Sequence, residues 1–131
     1  MIEPTLNYLP CPDACGSHNM AYWQWGDVQS GHLVVCVHGL SRQGRDFDVL
    51  ARALVERSDG ALQVICPDVV GRGKSDWLKD ASAYQFPTYV ADMLSLLSHL
   101  HARSQIKTLD WVGTSMGGLI GLGLCGHPDL L

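Results

Sequence analysis

Apolar positions along the chain fall into two kinds of run. Leu33-Val34-Val35-Cys36-Val37 is unbroken rather than alternating, the pattern of a strand covered on both faces in a parallel sheet. Leu62-Gln63-Val64-Ile65-Cys66 and Thr108-Leu109-Asp110-Trp111-Val112 are of the same type. Met20-Ala21-Tyr22-Trp23-Gln24-Trp25 is aromatic-rich and stops at Gly26-Asp27, a turn signal, which predicts one more strand. The second kind of run has helical spacing. Phe47, Leu50, Ala51 and Leu54 follow i, i+3, i+4, i+7, with Gly60 placed to close the helix. Val90, Met93, Leu94, Leu97 and Leu100 predict a longer helix beginning near Pro87. Residues 116–125 are small and apolar and end at Gly126-His127-Pro128. The order β-β-α-β-α-β-α predicts an α/β fold, a mostly parallel sheet with helices on both faces.

Residues 1–17 hold three prolines, two cysteines and little periodicity, and read as an irregular lead-in. Residues 18–131 then form one domain, as a chain of 131 residues allows. A hydrophobic content of 47% is enough for a real core. The net charge of −4, with scattered Lys and Arg, argues against a nucleic-acid partner, since phosphate binding needs clustered basic surface. Met1-Ile2-Glu3-Pro4 lacks the basic and apolar regions of a signal peptide. The stretch 111–125 is too short and glycine-rich to span a bilayer. The expectation is a cytoplasmic protein without a membrane partner. Five cysteines, an odd number without secretory context, read as reduced thiols. Cys11, Cys15, Asp13 and His18 lie close in sequence, but no second ligand pair follows at zinc-like spacing. No metal and no cofactor are predicted.

The chemistry concentrates at Gly113-Thr114-Ser115-Met116-Gly117, a G-x-S-x-G between a predicted strand and a predicted helix. A sharp strand-to-helix turn lifts a serine hydroxyl above the sheet, and its strain demands small neighbours, here Gly113 and Gly117. The following helix start offers the Met116 N–H to an oxyanion. The competing reading is a glycine-rich helix start whose serine is only an N-cap. Val37-His38-Gly39-Leu40, at the end of an earlier strand, supplies context. The second oxyanion donor of an acyl-transfer site comes from the loop after such a strand, which assigns it to the Leu40 N–H. Gly39 lets that loop turn, and His38 is read as holding the loop by hydrogen bonding rather than as a general base.

Together with Pro67-Asp68-Val69-Val70-Gly71-Arg72-Gly73-Lys74-Ser75, these motifs resemble the α/β-hydrolase superfamily in kind, order and separation, over about residues 20–131. The resemblance is to the esterase, C–C hydrolase and acyltransferase branch, because Ser115 stands where dehalogenases and epoxide hydrolases carry aspartate. It implies a serine hydrolase acting on a small ester or acyl substrate, with the 68–75 segment a structural turn and Asp68 scaffold. It also implies a later acid and histidine. After Ser115 only His127 and Asp129 remain as candidates, and a helix of about eleven residues would carry His127 roughly 15 Å away. The expectation is therefore an N-terminal half whose activity requires C-terminal residues, with either that half or a dimer partner covering the unpaired sheet edge. A catalytically inactive fragment serving as a binding or dimerising module is the alternative.

Two other motifs carry different chemistry. Residues 68–75 are one residue short of a phosphate loop, with Asp68 where glycine is needed; a nucleotide-binding protein is the remaining alternative. Gly121-Leu122-Gly123-Leu124-Cys125-Gly126 spells a dinucleotide fingerprint but falls inside a predicted helix rather than opening one. His99 and His101 read as a solvated helix end, Trp23, Trp25 and Trp111 as core, and Trp77 as a side chain able to touch substrate.

Overall fold

The computed structural model describes residues 2–128. Five strands, β1 (Thr5–Asp13), β2 (Gly16–Gly26), β3 (His32–Val37), β4 (Gln63–Pro67) and β5 (Thr108–Gly113), form one sheet in the order β1-β2-β4-β3-β5. The β4-β3-β5 part is parallel, whereas β1 and β2 are antiparallel additions. The sheet is thus mixed, its parallel part confined to the three strands that feed the helices. Every residue of β4, the polar Gln63 included, and all of β3 but His32, is buried.

Helices cover both faces. On one side α1 (Asp48–Arg57) sets Ala51 and Val55, with Phe47 from a preceding 3₁₀ turn, against Trp25, Val34, Cys36, Val64 and Cys66. The stripe is 47, 51, 55 rather than the expected 47, 50, 51, 54, and Leu50 is exposed. Gly60 closes the segment at φ +77, its N–H donating to Val55 O at 2.9 Å. On the other side α2 (Phe86–Ser104) and α3 (Met116–Cys125) pack Met93, Leu96, Leu97, Leu100, Ile120 and Leu124 onto Leu33, Val35, Val37 and Ile65. Pro87 stands in the first turn of α2, where its missing N–H costs nothing. His101 accepts the Ile106 N–H at 2.9 Å just past the end of α2, so it does more than face solvent.

The irregular lead-in expected over residues 1–17 is instead strand β1 and the start of β2, paired from Thr5↔Gln24 to Asp13↔Gly16. Pro10 and Pro12 are compatible with this because β1 is an edge strand, where a residue without an N–H is tolerated. The hairpin turns through Asp13, whose Oδ1 accepts the Cys15 N–H at 2.8 Å, and through Gly16 at φ +123. Among the described residues no helix is long and apolar enough to cross a membrane.

Candidate active site

β5 runs into α3 through a single tight turn. Ser115 sits at φ 53, ψ −112, a conformation a side chain occupies only when its surroundings impose it. It stands at the N-cap position of α3, yet its side chain makes no capping hydrogen bond. The residue is exposed. An N-cap serine earns its place by that bond, so the helix-cap reading fails here and the hydroxyl caps nothing.

The glycines around it are fixed by close backbone approach. A Cβ at Gly117 would run into the Val37 carbonyl, and one at Gly113 into the Gly118 amide. Thr114 N–H donates to Val37 O at 3.0 Å, and Trp111 Nε1–H to Gly117 O at 2.9 Å. The turn is therefore clamped to the end of β3. From there the 38–40 loop passes over it: a Cβ on Gly39 would lie 3.8 Å from the Ser115 Cβ. Among the described residues neither the Leu40 N–H nor the Met116 N–H donates to a backbone carbonyl. Leu40 is exposed, whereas Met116 begins α3 buried.

His38 is buried with both ring nitrogens engaged. Nδ1–H donates to Gly39 O at 2.7 Å, and Nε2 accepts the Val69 N–H at 2.9 Å. Burial holds its pKa below the ordinary value of 6.5. A neutral ring with no free lone pair is a loop fastener. Asp68, fully buried, accepts Gly44 N–H at 2.7 Å and Lys74 N–H at 2.9 Å, while its carbonyl accepts the Ser75 hydroxyl at 2.6 Å. The carboxylate fills the place a phosphate would need, and no α-helix follows directly at residue 76. The phosphate-loop reading has no support. Gly121 lies within α3 against the Trp111 indole, 2.5 Å from a Cβ it does not carry, so the apparent dinucleotide fingerprint is a helix–strand packing surface.

The sequence assigns no role to Arg72. Its Nε–H donates to Leu40 O at 2.9 Å and NH1 to Val70 O at 2.9 Å, so it ties the 68–75 turn to the loop carrying the Leu40 N–H. In the sequence it is marked by its place between Gly71 and Gly73. Cavities of about 430 and 250 Å³ border this loop and share Arg42 and Asp46 in their walls. Trp77, 79% exposed, lines a third cavity with Gly71, Arg72 and Tyr84.

No histidine or carboxylate among the described residues hydrogen-bonds Ser115. His127 follows α3, its N–H donating to Leu124 O at 2.9 Å. Asp129, the other candidate partner, lies outside the described residues.

A parallel sheet core, helices on both faces and a serine at a strained strand-to-helix turn define an α/β hydrolase. The family model for serine aminopeptidase, S33, matches residues 29–129, and the chain belongs to that family. It is 50% identical over 126 residues to a 3-hydroxybutyrate-oligomer hydrolase of Cupriavidus necator, covering 96% of this chain and 40% of that protein. An α/β hydrolase of Novosphingobium aromaticivorans superposes with a TM-score of 0.76 at 32% identity, over 100% of this chain and 42% of that one. The thioesterase domain from the curacin biosynthetic pathway shares the fold at a TM-score of 0.79 and 22% identity, over 100% of this chain and 42% of that one. The chain spans well under half the length of each of these proteins.

Proposed function

We propose that the chain carries the nucleophile and oxyanion-binding part of a serine esterase whose substrate is a short hydroxyacid ester. The observation that carries this reading is Ser115 itself, exposed, held at positive φ and without a capping bond. The identity to the 3-hydroxybutyrate-oligomer hydrolase supports esters of that kind as substrate. In the proposed reaction the Ser115 Oγ attacks the ester carbonyl, and its proton passes to a histidine outside the described residues. Leu40 and Met116 N–H groups take up the charge on the carbonyl oxygen, the alcohol leaves with the proton, and water then releases the acid from Ser115. His38, Gly39, Gly113 and Gly117 hold the geometry.

The histidine and its acid belong, in this reading, to residues beyond this chain. The same residues would pair the free side of β5, which among the described strands pairs only with β3, and cover Leu119 and Leu122 on α3, both exposed. Those exposed groups also favour the second reading, a non-catalytic module that associates through this edge. The discriminating experiment measures hydrolysis of a 3-hydroxybutyrate dimer by the complete protein and by Ser115→Ala. Turnover abolished by the substitution supports the esterase. Equal turnover by both, or none by either alongside tight association through the β5 edge, favours the module.

A further inference from the structure

The β1–β2 hairpin carries a buried set of donor groups unconnected with Ser115. Cys11 and His18 face each other across the hairpin as register partners, and α2 brings Asp92 against them. One ligand atom from each of the three lies within 4.8 Å of the others, and all three residues are buried. His18 Nε2 sits 2.8 Å from Asp92 Oδ2, and its Nδ1 sits 2.7 Å from Asp13 Oδ2.

These are the parts of a metal centre, in kind and in arrangement. A thiolate, an imidazole and a carboxylate suit a borderline-soft divalent ion. Ligands held at zinc distances in a tetrahedron stand roughly 3.3–3.8 Å apart, within the span this cluster already occupies. Closing it on an ion requires His18 and Asp92 to part by about half an ångström. Asp13 occupies the place taken in such centres by an outer carboxylate, accepting Nδ1–H and turning Nε2 inward. A cavity of about 290 Å³, with Asp13, Ala14, Pro87, Ala91 and Asp92 in its wall, borders the cluster on its Asp92 side, the side from which an ion and a water would enter.

We propose that Cys11, His18 and Asp92 form a binding site for a divalent cation of the zinc class, with Asp13 orienting the imidazole and a water from the cavity completing the coordination. Binding displaces two protons to solvent: the one on the Cys11 thiol, and the one shared between His18 Nε2 and Asp92. The ion takes their place and fastens the β1–β2 hairpin to α2. It stands apart from the proposed ester chemistry, so failure of either leaves the other untouched.

The test uses Co²⁺ as probe on the metal-free complete protein, compared with Cys11→Ser and His18→Gln. A difference spectrum against Cys11→Ser isolates this site from the exposed thiols Cys15 and Cys125. The expected result is a sulfur-to-cobalt charge-transfer band present in the wild type and absent in Cys11→Ser. Co²⁺ affinity should fall at least tenfold in His18→Gln, and Zn²⁺ should raise the wild-type melting midpoint but not that of Cys11→Ser. Serine is near enough in size to thiol that Cys11→Ser remains a usable control should His18→Gln fail to fold. Identical spectra for wild type and Cys11→Ser, or no shift of the wild-type melt by Zn²⁺, would overturn the proposal.

Discussion

Replacing Ser115 with glycine should make the protein more stable while removing the proposed nucleophile. The backbone at Ser115, φ 53 and ψ −112, carries strain on the order of 1–3 kcal/mol for a residue with a Cβ. Glycine adopts the same angles without that cost. Against this stands the extra freedom glycine gives the unfolded chain, about 0.4–1 kcal/mol. No side-chain bond is lost, because Ser115 makes none. The net expectation is a gain of about 1 kcal/mol, once the smaller glycine term is taken from the larger strain term. Ser115→Ala keeps the strain and should lie near the wild type. The assay is equilibrium urea unfolding of wild type, Ser115→Ala and Ser115→Gly, followed by tryptophan fluorescence. An ordinary N-cap serine loses a few tenths of a kcal/mol on change to glycine. A glycine variant less stable than wild type would therefore refute the strain argument, and with it the claim that the turn is built to present a nucleophile.

Gly117→Ala drives a Cβ into the Val37 carbonyl; backbone cannot yield as a flexible side chain does, so a loss of about 2–3 kcal/mol is expected from overpacking, read by the same urea titration. Arg42 N–H donates to Gly39 O at 3.2 Å, so residues 39–42 form a β-turn with Leu40 at the position that favours proline. Leu40→Pro should keep the turn while deleting the proposed oxyanion donor, lowering kcat about 10²–10³-fold with little change in KM. His38 has its pKa depressed by burial, so below about 6.5 the unfolded chain takes up a proton the folded chain resists. Its contribution is present above that pH and is lost as the pH falls, by up to about 1.4 kcal/mol per unit. Urea midpoints between pH 7 and 5 should fall less steeply in His38→Asn than in wild type.

β3 and β4 were legible because they are covered on both faces, unlike β5, which has no buried residue. The apolar stretches 33–37 of β3 and 64–66 of β4 show this, and a run of that kind has few other uses. The strand-to-helix turn at Ser115 was legible because the close approach of Gly117 to Val37 leaves glycine as the residue that fits. β1 was hidden by Pro10 and Pro12, whose meaning depends on whether the strand lies at an edge or inside the sheet. The buried face of α1 lies one position from the apolar spacing because the 3₁₀ turn at Gly44–Phe47 enters it with a different period. Arg72 and Asp92 escaped for a shared reason. Each acts on residues distant in the chain, Leu40 and His18 respectively, and local spacing holds no trace of such meetings.

The central claim is that Ser115 is the nucleophile, and covalent labelling tests it most directly. The complete protein treated with a fluorophosphonate, digested and read by peptide mass spectrometry should carry the adduct on the peptide containing Ser115, and Ser115→Ala should carry none. An adduct on another serine that persists in Ser115→Ala would contradict the account.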